Sequence, residues 1–157
     1  MRVAIVAVGT RMPDWVGAAC GEYLKRLSRD LRVDVVEVRA EPRTGSSTNR
    51  ETLVSAEAVR IEGAIPRGAL QVALDERGRA VTTRELADRL RRWTEGGRDV
   101  ALLIGGPDGL AEGLRTGADE TLSLSKLTLP HALARVVLVE QLYRAMSLLK
   151  GHPYHRD

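Results

Sequence analysis

Short apolar runs alternate along the chain with longer segments whose apolar residues recur at helical spacing. Apolar and β-branched runs predict five strands, at residues 3–8, 33–38, 69–74, 100–104 and 121–124. The intervening and following segments predict helices at residues 15–28, 49–62, 83–96, 110–117 and 132–149. Strands that alternate with helices indicate an α/β fold, in which a mostly parallel sheet has helices on both faces.

Capping residues predict where three of these helices begin. Asp14 stands where an N-cap residue is expected for the first helix. Thr48 and Glu51 have the spacing of a capping box, and so do Thr82 and Glu85. A helix is therefore expected to begin directly after each of these two threonines.

Two stretches rich in turn-forming residues predict breaks between elements. Residues 41–49 are expected to form a loop before the second helix. Residues 75–78 are expected to close the third strand.

The last predicted helix differs from the others because its apolar residues cover nearly the whole circumference. Such a helix must be buried on more than one side. In a domain of this size that favours a subunit interface, and a two-fold homodimer is the expected arrangement. Residues 151–157 follow as a polar tail that is too short to fold alone.

Length and composition narrow the class of protein. A chain of 157 residues with 43% hydrophobic residues predicts one globular domain spanning residues 1–157. No apolar run approaches the roughly 20 residues of a membrane span, and no signal-peptide pattern is present, so no membrane partner is expected. The single cysteine, Cys20, fits a reducing compartment, and a cytoplasmic location is expected.

The charge pattern leaves two interpretations open. The net charge is +3, and only three of the 24 basic residues are lysines, so 21 are arginines. Arginine matches phosphate groups and stacks on bases, which favours a nucleic-acid partner. The same composition equally fits the coding bias of a GC-rich genome.

The glycine-rich stretch at residues 105–109 follows the fourth predicted strand. It lacks the lysine and hydroxyl of a phosphate-binding P-loop and the spacing of a dinucleotide-binding fingerprint. Three glycines in five positions would let a ligand approach the backbone closely. A tight strand-to-helix turn explains the same residues without a ligand.

Residues 124–131 are too hydrophobic for an exposed loop and too interrupted for a strand or a helix. They predict a buried loop, whose backbone groups would need partners such as the edge of an adenine ring. Alternatively, Leu127 and Leu129 simply fill the core.

The three histidines, His131, His152 and His155, lack the spacing of metal ligands, so no metal site is expected. No nucleophile elbow of the G-x-S-x-G type is present either. One histidine could act as a general base, and roles in helix capping or in the tail stay open for each.

Six sequence blocks together resemble a known family. They lie at residues 6–10, 12–15, 97–100, 103–110, 123–131 and 152–156. In these blocks the chain resembles the ribosomal RNA large subunit methyltransferase H family, which belongs to the SPOUT class of methyltransferases. The resemblance extends from the first strand to the last residues.

This resemblance implies a fold, an activity and partners. The fold would be a SPOUT-type α/β knot with a C-terminal trefoil knot, an exception to the rule that chains avoid knots. The protein would be a homodimer that uses S-adenosyl-L-methionine to methylate N3 of a pseudouridine in large-subunit (23S) rRNA on the assembled ribosome. The alternative is a non-catalytic RNA-binding or ribosome-assembly factor that retains the fold.

The resemblance also implies which residues form the site. The cofactor contacts would be Leu74, Gly105, Gly106, Leu124, Ser125, Lys126, Leu127, Thr128 and Leu129. Of these, Lys126 is expected to contribute mainly its backbone.

Placement beside the loop and in the tail gives the catalytic candidates His131, Arg135, His152, Tyr154, His155 and Arg156. The histidines and Arg135 are hypothesised to help remove the N3 proton. Tyr154 and Arg156 are hypothesised to contact rRNA or position the base.

Overall fold

A computed structural model describes residues 1–43 and 49–156, apart from the side chain of His155. The strands are β1 (Arg2–Val8), β2 (Arg32–Val38), β3 (Leu70–Ala80), β4 (Val100–Ile104) and β5 (Glu120–Ser123). The helices are α1 (Asp14–Leu27), α2 (Arg50–Ala64), α3 (Thr83–Gly96), α4 (Glu112–Gly117) and α5 (His131–Lys150), and a 3-10 turn follows at Pro153–Arg156.

The strands form one parallel sheet in the order β2-β1-β4-β3-β5. Alternate side chains of β1 enter two different cores, because successive residues of a strand point to opposite faces. Val3 and Ile5 pack in a core with α1, α3 and α5, whereas Val6 and Val8 pack in a core with α2 and α4. The expected α/β fold with helices on both faces is confirmed, and the trefoil knot stays a prediction.

The third strand is longer than the sequence pattern predicts. Residues 75–78 were expected to end it as a turn, but β3 continues to Ala80 and shifts register against β5 between Leu74 and Arg79. A Cβ atom on Gly78 would lie 2.7–2.8 Å from backbone atoms of Thr121 and Leu122. Glycine therefore allows this close crossing, and the turn-forming residues make a bulge within the strand rather than its end.

Helix α1 begins one residue earlier than expected. Asp14 is its first helical residue rather than its N-cap, and Pro13 occupies the capping position without a side-chain hydrogen bond. Proline fixes a backbone angle compatible with entry into a helix, and its carbonyl, rather than a side chain, accepts from the Val16 amide at 3.0 Å.

Capping side chains begin α2 and α3. In α2 the cap is Asn49, whose Oδ1 accepts a hydrogen bond from the Glu51 amide at 2.9 Å. Thr48, which was expected to be the cap, lies outside the described residues. The same is true of the middle of the loop predicted at residues 41–49. The capping box of Thr82 and Glu85 is confirmed, with both reciprocal hydrogen bonds present.

The predicted burial of the final helix on more than one side is confirmed, since α5 packs against both α1 and α3. Its residue Leu133 and Trp15 of α1 nevertheless remain exposed. The tail docks on the end of α5, where the rings of Tyr154 and Tyr143 lie 4.6 Å apart between centroids. Among the described helices, none has the length and apolar character needed to span a membrane.

A buried ion pair ties α3 to the start of β5. Glu120 accepts hydrogen bonds from Nε of Arg89 and from the indole N–H of Trp93, both at 2.9 Å. The side chain of Arg89 is only 10% exposed, so removal of its partner would leave a largely desolvated charge.

We expect Glu120→Ala to lower the free energy of unfolding by about 2 kcal/mol, because Arg89 and Trp93 would both lose a buried acceptor. Denaturant unfolding measures this loss. The matched control is Asp88→Ala, which removes the exposed partner of Arg91 on the same helix and should cost well under about 1 kcal/mol. Equal losses in the two variants would contradict the assignment.

Candidate functional site

A cleft of about 770 Å³ opens at the carboxyl edge of the sheet, beside β3, β4 and β5. Leu74 of β3 pairs in register with both Ile104 of β4 and Leu122 of β5, so the loops that follow β4 and β5 leave the sheet at the same level. Parallel sheets place ligand sites at this edge. Eight of the nine predicted cofactor contacts line the cleft: Leu74, Gly105, Gly106, Leu124, Ser125, Leu127, Thr128 and Leu129.

Lys126 is the predicted contact that does not line the cleft. Its side chain is exposed. Any role for this residue in binding would therefore have to come from its backbone.

The glycine-rich stretch forms a tight turn that is also one wall of the cleft. The Gly109 amide donates to the Gly106 carbonyl at 3.0 Å, and Gly109 adopts a positive φ of 77°. A Cβ atom on Gly105 would overlap the backbone of Gly109 and Leu110. The turn interpretation thus accounts for these glycines, and the placement of the turn leaves its backbone open to a ligand.

The expectation that residues 124–131 form a buried loop is wrong for this chain. Leu127 is 76% exposed, so it does not fill the core either. The loop satisfies polar groups locally: Ser123 donates to the carbonyl of Ser125 at 2.8 Å, and the Leu127 amide donates to Oγ of Ser125 at 2.9 Å. Its apolar side chains instead form a wall of the cleft, as Leu129 does.

Charged residues of the β3 bulge also line the cleft, and the sequence pattern missed them. Asp75 accepts hydrogen bonds from the backbone and the guanidinium of Arg77. Burial alone would raise the pKa of Asp75, but these hydrogen bonds outweigh it and hold the pKa below its usual value. Glu76 accepts a hydrogen bond from Thr128 at 3.1 Å, which joins the bulge to the loop after β5.

The signal available in the sequence was the acid–acid–base run directly after an apolar strand. Side chains in such a position face the same edge as the loops that follow the neighbouring strands.

His131 is the first residue of α5 and lines the cleft. Partial burial lowers the pKa of its imidazole below the usual 6.5, and the positive charges of Arg135 and Arg43 lower it further. The imidazole is therefore neutral near pH 7 and can accept a proton from a group bound in the cleft.

Arg135 lies one helical turn further along α5 and is buried behind the cleft rather than in it. Its guanidinium pairs with Glu37 of β2 and donates to the carbonyl of Gly9 at 3.2 Å. Its Nε has no hydrogen-bond partner among the described atoms. The contacts present tie the start of α5 to the carboxyl ends of β1 and β2.

The tail candidates lie at the opposite end of α5. Tyr154 donates to Glu140 at 3.0 Å, and the guanidinium of Arg144 stacks over its ring at 4.7 Å. Burial and hydrogen bonds with Tyr23 and Glu140 raise the pKa of Tyr154, so it stays protonated at neutral pH.

His152 lines a separate cleft of about 400 Å³ beside the end of α1. Arg156 ends the 3-10 turn, and the side chain of His155 lies outside the described part of the chain. None of His152, Tyr154 and Arg156 is among the residues that line the cleft containing His131.

A metal site needs several acidic, histidine or cysteine side chains close together. Within residues 1–43 and 49–156, no three of them converge in a way that could hold a metal ion.

The sequence and the fold match one class of enzyme. A family model described as "Predicted SPOUT methyltransferase" matches residues 1–155. A crystal structure described as "Probable Methyltransferase from Bordetella pertussis Tohama I" superposes with a TM-score of 0.55 over 92% of this chain and 96% of that one, and its 18% identity supports the fold alone. The protein is a SPOUT methyltransferase.

Relatives of higher identity narrow the class. The chain is 59% identical to the ribosomal RNA large subunit methyltransferase H of Methylibium petroleiphilum and 57% identical to that of Verminephrobacter eiseniae, each over 100% of both chains. It therefore belongs to the ribosomal RNA large subunit methyltransferase H family, which confirms the resemblance found in its sequence blocks.

We expect the His131 imidazole to titrate below 6.5 in the folded protein, as followed by its ring C–H signals in NMR spectra. The unfolded chain then binds a proton at higher pH than the folded one does. Stability should consequently fall as the pH drops through about 6.5 towards the folded-state pKa.

His131→Gln should remove this part of the pH dependence, whereas His152→Gln, which alters the separate cleft, should retain it. A folded-state pKa at or above 6.5 would contradict the proposed environment of His131.

Proposed function

We propose that the protein uses S-adenosyl-L-methionine to methylate N3 of a pseudouridine in large-subunit (23S) rRNA on the assembled ribosome. The observation that carries this proposal is the single cleft bounded by the turn after β4 and the loop after β5. Full-length identity of 57–59% to ribosomal RNA large subunit methyltransferases H supports the rRNA substrate.

The residues around the cleft fit an adenosyl cofactor. The volume of about 770 Å³ lies within the usual range for small-molecule sites. Leu74, Ile104 and Leu129 offer apolar surface to a purine ring, and the glycine turn leaves backbone groups accessible. The proposed holding residues are Leu74, Gly105, Gly106 and residues 124–129. When bound, the cofactor supplies an electrophilic methyl group.

His131 is the proposed proton acceptor. N3 of pseudouridine is a weakly acidic imide, and its proton must leave before the nitrogen lone pair can attack the methyl group. The neutral imidazole of His131 can take that proton within the cleft, while Arg135 holds the start of α5 in place. Positioning of the two reactants supplies much of the remaining rate enhancement.

The mouth of the cleft carries cations suited to RNA. Arg50 and Arg77 line it, and their side chains are 73% and 59% exposed. Exposed guanidinium groups next to a nucleoside site favour contact with phosphates, and such binding weakens as salt rises.

We further propose that the protein acts as a homodimer in which the tail of one chain reaches the cleft of the other. His152, Tyr154 and Arg156 do not line the cleft of their own chain, so a role for them in the reaction favours a second copy. The exposed apolar side chains of Trp15 and Leu133, on α1 and α5, offer surface for such a contact.

We expect labelled methyl groups to pass from S-adenosyl-L-methionine to ribosomes from cells that lack the modification. Ribosomes with uridine at the acceptor site, and free rRNA stem-loops, should be poor substrates. Gly105→Ala should abolish transfer because its Cβ would overlap the turn, whereas Gly113→Ala, whose Cβ meets nothing within 4 Å, should retain it. Binding of ribosomes without cofactor binding or transfer would favour an assembly factor instead.

Mixed dimers test the shared site. His131→Ala and Arg156→Ala should each be nearly inactive alone. Co-expressed, they should recover about a quarter of wild-type activity, because random pairing gives half mixed dimers with one complete site each. No recovery in a preparation shown to contain mixed dimers would place each tail at its own cleft.

A further inference from the structure

A buried ion cluster lies directly behind the glycine turn. Glu57 of α2 is 1% exposed, and its carboxylate accepts hydrogen bonds from Nη1 and Nη2 of Arg43 at 2.9 and 3.1 Å. The Glu41 amide donates to the same carboxylate at 2.9 Å. A Cβ atom on Gly106 would lie 3.5 Å from both carboxylate oxygens, so the cluster packs against the turn itself.

Arg43 also connects this buried carboxylate to the turn. Its Nε donates to Oδ2 of Asp108 at 2.9 Å, so a single guanidinium bridges Glu57 and Asp108. Arg50 also donates to the Asp108 carbonyl, at 3.0 Å. Asp108 lines the cleft, and its carboxylate is engaged by these arginines.

The cluster is not needed to fill space in the core. Apolar residues of α2 such as Ala58 and Ile61 already pack under the sheet, and an ion pair this deeply buried rarely adds stability over an apolar replacement. The turn, by contrast, is built largely from glycines, which allow many backbone conformations. A fixed anchor outside the turn would restrict the turn to the single backbone conformation that lines the cleft.

We propose that Glu57 is a positioning residue for the cofactor: through Arg43 it holds Asp108 and so fixes the 105–109 turn in its binding conformation. The inference rests on the proposed function, since it assigns the turn to S-adenosyl-L-methionine. Glu57 itself does not line the cleft and takes no part in the chemistry.

Two variants separate positioning from stability. Glu57→Gln leaves Arg43 without its buried counter-charge, so both the melting temperature and the affinity for S-adenosyl-L-methionine should fall, the affinity about tenfold. Arg43→Gln with Glu57→Gln removes both charges, which should restore much of the melting temperature. The affinity should stay low, because Asp108 is still released.

Isothermal titration with S-adenosyl-L-methionine and with S-adenosylhomocysteine measures the affinities. Asp108→Asn should weaken binding as well, and its effect should not add to that of Glu57→Gln, because both act through Arg43. The matched control is Glu62→Gln, which makes the same change at an exposed position of the same helix and should leave affinity unchanged.

Hydrogen exchange provides a readout without cofactor. The Gly109 amide, which is bonded to the Gly106 carbonyl, should exchange faster in Glu57→Gln and in the double variant than in wild type or Glu62→Gln. Two results would overturn the positioning role of Glu57: unchanged exchange of the Gly109 amide in these variants, or an affinity that recovers together with the melting temperature in the double variant. In either case, binding of S-adenosyl-L-methionine by the wild-type protein would leave the proposed cofactor standing. Failure of the wild-type protein to bind either nucleoside would overturn the proposed function and, with it, this inference.

Discussion

Close contact between backbone segments at two glycines is the constraint on which the cleft depends. Gly78 lets the extended β3 cross the backbone of β5, and Gly105 lets the turn after β4 fold back on Gly109 and Leu110. A single methyl group at either position would meet backbone atoms rather than flexible side chains, so the neighbouring segments could not relax cheaply. The spacing of the segments that line the cleft is therefore set by the main chain.

Three helices carry ion pairs that include a buried side chain, and two of these pairs reach the sheet. Glu57 of α2 binds Arg43, Arg135 of α5 binds Glu37, and Arg89 of α3 binds Glu120. Such pairs are directional, unlike apolar contacts, and they fix the position of a helix along its axis as well as its distance from the sheet. The first two lie around the cleft, close enough for Arg43 and Arg135 to affect the charge state of His131.

Local signals in the sequence predicted the elements well, because they act within a few residues. Apolar runs located all five strands, and the spacing of Thr82 and Glu85 located a helix start. The same signals were wrong where tertiary contact decides the outcome. Residues 75–78 have the composition of a turn, yet the residues on both sides of them pair with β5, so the strand continues through a bulge.

The site was predictable in part for the same reason. Glycines and an irregular apolar segment after two strands indicated which loops form it, and the family resemblance indicated a cofactor. Hydrophobicity alone could not show that Leu127 faces the solvent rather than the core. Arg43 and Asp108 are 65 positions apart, and no periodicity or spacing rule links residues so distant.

The length of α5 has a consequence for how much enzyme a cell must hold. If the tail works at a neighbouring molecule's cleft, a chain that has not found its partner is idle. At dilutions where most chains are single, the number of complete sites falls with the square of the chain concentration. Halving expression would then cut methylation activity roughly fourfold, so activity would change more steeply than the amount of protein.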